Sequence, residues 1–216
     1  MKNKDFLNII GIILLTLGIL AVIISLTTRE PAHVLWFCYI SLILIGIGMM
    51  SNNSILIASQ LNIITIPAIF WNIDFFYIML TNKPLWNITN YLIGADILSL
   101  SYLISMQHVF TIPLALYSLY ALKLKRRDFW KISAFQIILL FILSYIFSSQ
   151  QANINCVITP CFSFFNQYLN ANYILFWFFG MFAMISITNY LLTKFFYKNN
   201  ERTKAAQSSL RPLGRS

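Results

Sequence analysis

Long apolar runs separated by short polar segments organise this chain. A membrane-spanning helix needs about 20 mainly apolar residues. Six runs meet that requirement: residues 6–26, 33–50, 55–80, 99–122, 130–147 and 173–196. The apolar positions are continuous and do not alternate with a period of two, which predicts helices and not the strands of a β-barrel. The third run carries Pro67 and the fourth Pro113. Each proline removes a backbone donor, so a kink is expected at both. The first run is longer than the roughly 7–15 apolar residues of a cleavable signal core, and no A-x-A site follows it, so it reads as a retained helix. Residues 1–199 form one six-span transmembrane domain. The polar, aperiodic residues 200–216 read as a disordered cytoplasmic tail.

Composition agrees with this reading. Of 216 residues, 59% are hydrophobic and only 10% charged, with mean hydropathy +0.73. Soluble domains carry about a quarter charged residues, and a soluble fold of this size buries only about 70% of its chain surface. A soluble enzyme, a nucleic-acid-binding domain and a disordered chain are all excluded, despite a pI of 9.6. No nucleic-acid partner is expected.

The cations set the orientation. Lys123, Lys125, Arg126, Arg127 and Lys131 follow the fourth run, Lys194, Lys198, Arg202, Lys204, Arg211 and Arg215 end the chain, and Lys2 and Lys4 begin it. With six spans these thirteen of the fifteen cations fall on one side, leaving Arg29 and Lys83 opposite. The positive-inside rule puts that side, with both termini, in the cytoplasm. The fold expected is all-α, a polytopic bundle of six helices in a bacterial or archaeal cell membrane. Membrane lipid is the first partner, since anionic headgroups are attracted to the same cations.

Few polar residues in the spans need a chemical explanation. Ionisable groups at membrane depth cost at least ~2.5 kcal/mol each and normally face the bundle interior with a partner. His33 starts the second run at its outer end, Asp74 lies about 9 Å from the outer end of the third, Asp96 precedes the fourth, and His108 lies roughly 13 Å into it, at 1.5 Å per residue. All four fall in the outer half. Ser101, Ser105, His108 and Ile112 recur at helical spacing and share a face, as do Gln60, Pro67, Trp71 and Asp74. Two such stripes fit either interhelical hydrogen bonding or a site. On either reading, Asp74 and His108 are expected to approach each other inside the bundle, directly or through one water.

The candidate catalytic set is His108, Asp74, Cys38, Asp96 and His33. His108 would be the base and Asp74 or Asp96 its orienter. Cys38 is the best nucleophile because thiols ionise more readily than hydroxyls, with Ser105 and Thr111 as neighbours of His108. Two imidazoles and two carboxylates at similar depth also suit zinc or iron, but no H-E-x-x-H pair is present, and no cofactor is assigned. Cys156 and Cys161, in the last outer loop, are either bridged or free. The loop 82–98 carries Trp86 and Tyr91 and reads as an ordinary interfacial loop, the alternative being a lid along the outer headgroup layer.

Three functional classes follow. One is a membrane-embedded hydrolase or acyltransferase-like site open to the outer leaflet, acting on a lipid or small hydrophobic substrate. Another is a small ion- or proton-coupled transporter, which broken helices at Pro67 and Pro113 would suit. The third is a non-catalytic membrane assembly subunit whose polar residues join helices.

Residues 33–38 (HVLWFC), 71–75 (WNIDF), 105–122 around His108 and 152–155 (ANIN) are similar to a group of prokaryotic six-helix integral membrane proteins without an assigned activity. The architecture also resembles YwaF-like membrane proteins, some of whose relatives are lipid acyl hydrolases or transferases. That resemblance implies a nucleophile-and-histidine pair, carried here to Cys38 and His108.

Overall fold

The computed structural model describes residues 3–28, 31–94, 99–161 and 172–197. Among these the chain forms helices α1 (Asn3–Thr28), α2 (Phe37–Met50), α3 (Ser54–Thr81), α4 (Leu100–Ser105), α5 (Gln107–Leu122), α6 (Trp130–Phe147) and α7 (Tyr173–Leu192), and no strand. Five stretches are long and apolar enough to cross a membrane: Lys4–Thr27, Ser54–Thr81, Tyr102–Leu122, Trp130–Phe147 and Tyr173–Tyr197.

The surface is apolar, and the mainly apolar interior also holds polar groups. Phe135, Leu175, Phe179 and Leu80 are 69–85% exposed, while Ser41, Ser59, Gln60, Asn62 and Asp74 are at most 1% exposed. So much exposed apolar surface is stable only in a hydrocarbon solvent. The chain is an integral membrane protein.

The second apolar run departs from expectation. Its helix has 14 residues, about 21 Å of rise against a hydrocarbon core of about 30 Å. His33 does not open that helix. It lies in a 3-10 turn, Pro31–Leu35. Trp36 is then extended, with ψ 128°, and α2 begins at Phe37. The Phe37 N–H, one of the donors a helix start leaves over, is taken by the Asn155 Oδ1 at 3.0 Å.

Helices α3 and α5 continue through Pro67 and Pro113. The fourth run is interrupted at Met106, between α4 and α5. There the Val109 N–H reaches back only three residues, to the Met106 carbonyl, the tighter 3-10 pattern. Pro67 is exposed, while the other members of its expected stripe, Gln60, Trp71 and Asp74, are buried.

Helices α1 and α2 approach closely. A Cβ placed on Gly46 would stand 2.7 Å from the Gly11 carbonyl oxygen and 2.8 Å from the Leu15 backbone nitrogen. Only glycines permit that backbone contact, as in other small-residue helix crossings. At the other end of α2 the chain reverses through Asn52, at φ 54°. The Asn53 side chain then caps α3, accepting from the Ile55 and Leu56 N–H groups at 3.1 Å. The core between these helices holds Leu14, Leu42, Ile45, Met49, Ile57, Leu61, Phe129 and Ile137.

Candidate functional site

Two polar assemblies sit inside the bundle, and a third ties its loops together. The first surrounds Asp74, near the end of α3. Asn82 closes that helix in the left-handed conformation, and the chain folds back along it. Asp74 Oδ1 accepts from the Leu85 and Trp86 N–H groups at 3.0 and 2.7 Å. Oδ2 accepts from the Thr89 N–H at 2.7 Å and the Thr89 hydroxyl at 2.8 Å. Both oxygens are thereby committed to residues 85–89. The same loop brings Trp86 edge-on to Phe70 at 5.4 Å, and it buries Leu92 against Trp71 and Phe75.

His108 belongs to the neighbouring helix. Its ring stacks on Trp71, with centroids 4.5 Å apart and planes 17° from parallel. Trp71 Nε1 donates to the Tyr91 hydroxyl, which donates to Ser105 Oγ, both at 3.2 Å. His108 Nδ1 lies 2.9 Å from the Ser105 carbonyl oxygen. A carbonyl only accepts, so this contact assigns the proton to Nδ1 and leaves the Nε2 lone pair as an acceptor. The Gln107 amide nitrogen lies 3.1 Å from Nε2, and its oxygen accepts from the Thr111 hydroxyl at 3.0 Å. The His108 carbonyl accepts from Asn72 Nδ2 at 2.8 Å, fixing α3 to α5.

Asp74 and His108 therefore stand on packed helices but take different partners, and no hydrogen bond joins them. His108 is half-buried. It lines an open-sided apolar groove of ≈ 590 Å³ between α3 and α5, with Ile69, Ile73, Phe76, Val109 and Ile112. Cys38 is a free, half-buried thiol near the start of α2 and shares no hydrogen bond with His108. Asp96 lies outside the described residues. Among the described residues, no three His, Cys, Asp or Glu side chains gather as a metal site.

The second assembly contains no charge. Gln60 on α3 and Gln136 on α6 exchange amide hydrogen bonds in both directions, at 2.8 and 3.0 Å. Ser41 Oγ donates to Gln60 Oε1 at 3.0 Å, Ser133 Oγ donates to the Ser59 carbonyl at 2.8 Å, and Asn62 Nδ2 donates to Ser133 Oγ at 3.2 Å. Sequence reading identified Gln60 but not its partner, because amides carry no pairing signal. It also missed the buried polar face of α5, where Gln107, Thr111 and Ser118 are at most 2% exposed and recur at i, i+4 and i+11.

The third assembly fastens the α6–α7 connection. Asn155 adopts φ 55°. Its amide donates to the Leu35 carbonyl at 2.8 Å and to Ser144 Oγ at 3.0 Å, while its carbonyl accepts from Trp177 Nε1 at 3.0 Å. The Tyr173 hydroxyl donates to the Cys156 carbonyl. Cys156 and Cys161 are bridged, with Cα atoms 5.5 Å apart.

The chain matches no protein-family model, no curated protein and no solved structure.

Proposed function

We propose that this protein crosses the membrane six times with both termini cytoplasmic, and that it works on an outer-leaflet lipid from the groove between α3 and α5. In this reading the short α2 counts as the sixth span, thinning the bilayer or leaning on the 3-10 turn before it. The cation distribution supports the orientation, and so does a disulfide in the α6–α7 connection, since disulfides persist on the oxidising side. A reporter fused after Asn200 should read cytoplasmic and one inserted near Asn153 external. The opposite pair of results refutes the orientation.

One observation carries the functional reading. His108 stands in the wall of an apolar groove open at the side of the bundle, its Nδ1 proton committed to a carbonyl and its Nε2 an acceptor within 3.1 Å of the Gln107 amide nitrogen. That combination suits a general base acting on an acyl ester. A water or acceptor hydroxyl would displace the Gln107 amide from Nε2 and lose its proton there while its oxygen attacks the ester carbonyl carbon. The ester C–O bond would then break, and the leaving alcohol would take the proton back from His108. Hydrolysis and acyl transfer differ only in the attacking group. Cys38, carried over from the YwaF-like resemblance, is not needed for this scheme.

The test is lipid turnover in nanodiscs of defined phospholipid, read as lysolipid and free fatty acid by mass spectrometry. His108→Gln should remove the product while leaving the protein folded. Product formation unchanged by that substitution refutes His108 as the base. A second reading, a non-catalytic assembly subunit, is favoured by the closed Gln60–Gln136 pair, which joins α3 to α6. A folded wild-type protein that makes no lipid product would favour it over the enzyme.

A further inference from the structure

The connection between α5 and α6 is built as a fixed cationic surface. Lys123 ends α5 at φ 59°. Leu124 and Phe129 are then driven into the core, at 2% and 0% exposure, so the residues between them are held at both ends. Lys125, Arg126 and Arg127 are left exposed. Arg126 is occupied by Asp128, donating from Nε at 2.9 Å and from a terminal nitrogen at 2.5 Å. Arg127 is not neutralised by a carboxylate among the described residues. Its guanidinium lies 4.3 Å from the centre of the Tyr197 ring, at the end of the π-helical turn Thr193–Tyr197 that follows α7. One turn earlier, the Lys194 ammonium lies 5.8 Å from the Tyr190 ring. Tyr120, Trp130 and Tyr190 are 76%, 45% and 62% exposed around this end, a composition that marks the headgroup level of a bilayer.

From this geometry we propose that Arg127, seated on Tyr197, forms a binding site for the phosphate of an anionic phospholipid. Positive charge near a membrane end sets topology without needing a defined position. Here the charge has one. A guanidinium packed on an aromatic face has lost much of its freedom, yet it keeps its in-plane N–H donors, which match phosphate oxygens in pairs. Lys125 and Lys194, from the two elements that meet at this point, supply further positive charge. The surrounding exposed aromatics provide apolar surface at the level where acyl chains begin. A lipid meets both requirements together, and a soluble phosphate meets only the first. The site belongs to one end of the bundle whichever side of the membrane that end faces.

The experiment uses the full chain in symmetric nanodiscs of mixed phosphatidylglycerol and phosphatidylcholine, with native mass spectrometry counting retained lipids. Wild type should retain phosphatidylglycerol preferentially. Arg127→Gln should lower that preference about fivefold, the worth of one cation near a membrane surface. Tyr197→Leu, which leaves every charge in place, should lower it partly and add nothing to Arg127→Gln. Lys83→Gln, in the α3–α4 connection, should change nothing. If Arg127→Gln and Lys125→Gln act equally and Tyr197→Leu is silent, the attraction is diffuse and the site does not exist. Displacement of the lipid by excess inorganic phosphate would identify a soluble anion as the ligand and overturn the lipid assignment.

Discussion

Substituting Asp74 by asparagine tests what that carboxylate is for. The change keeps the shape and replaces one oxygen by an NH₂ group. Oδ1 accepts two backbone N–H groups and Oδ2 accepts the Thr89 N–H and hydroxyl. If the amide keeps its oxygen toward Leu85 and Trp86, its NH₂ faces the Thr89 N–H, donor against donor, in a residue with 0% exposure. An unsatisfied buried donor costs about 1–3 kcal/mol. The two surviving bonds lose their charge assistance, and charge-assisted bonds are roughly twice as strong as neutral ones, so about 1 kcal/mol more is lost at each. Relief of the buried charge offsets part of the total. The balance is about 2–4 kcal/mol of loop docking, which raises the opening equilibrium roughly thirtyfold to a thousandfold.

Hydrogen exchange in nanodiscs reads this directly. The Leu85, Trp86 and Thr89 amides should lose protection by that factor in Asp74→Asn, and those of α1 and α6 should not. The α3–α4 loop opens while the bundle remains. Protection unchanged at all three amides would refute the account of Asp74 as a clamp. Equal loss throughout the bundle would show that Asp74 supports the whole fold and not one loop.

Three further outcomes follow from the packing and charge. Gly46→Leu should destabilise the α1–α2 contact by about 1–3 kcal/mol, because its Cβ would meet backbone atoms at 2.7 and 2.8 Å; unfolding in a denaturing detergent measures it, and an unchanged midpoint contradicts the close approach. Gln60→Leu and Gln136→Leu should each cost about 1–3 kcal/mol by stranding the partner amide, and the double variant should cost less than their sum, with a coupling near the ~0.6–2 kcal/mol found between membrane helices. Asp128 has its carboxyl held below the ordinary carboxylate value by the hydrogen bond from Arg126, with the charges of Arg126 and Lys131 adding to it. Its folded value is lowered, so the pair's contribution is present above the unfolded carboxylate value and is lost as pH falls through the lowered one. A carbon-13 titration of Asp128 should show a midpoint below that of Asp in an unfolded peptide, and a midpoint at or above it removes the pair.

Hydrophobic runs made α1, α3, α6 and α7 legible within a few residues, because in lipid the helix is the only open-ended way to satisfy a backbone. The start of α2 was not legible. Residues 33–36 are apolar enough to continue a helix, but α2 starts where the Phe37 N–H donates to the Asn155 side-chain oxygen, more than a hundred residues away in sequence. The break at Met106 has a similar origin. Proline at 113 is the stronger local signal, yet the helix tolerates it, and the discontinuity falls beside the Trp71–Tyr91–Ser105 cluster. Asp74 was recognisable as a carboxylate needing a partner. That its partners would be backbone amides was not readable, since every residue supplies those. His108 was recognisable as unusual, but its stacking on Trp71 depends on the pitch between two helices, which no one-dimensional pattern encodes.

The distribution of polar groups favours chemistry at the flank of the bundle over passage through it. A transported ion or proton needs a chain of polar or ionisable groups with space between them. Here the one described buried carboxylate accepts four hydrogen bonds from a single loop, and the deeper polar groups are neutral amides and hydroxyls bonded across α2, α3 and α6. Breaking the Gln60–Gln136 pair to open a path would strand two amides in a low-dielectric interior, at about 1–3 kcal/mol each. His108 is placed differently. It reaches the apolar groove at the side of the bundle, where a lipid chain can enter without disturbing either network. On the proposed reading, a lipid arriving from the bilayer would reach His108 without breaking either hydrogen-bond network. If the proposed lipid turnover exists, the lateral groove, and not the bundle axis, is where it should be sought first.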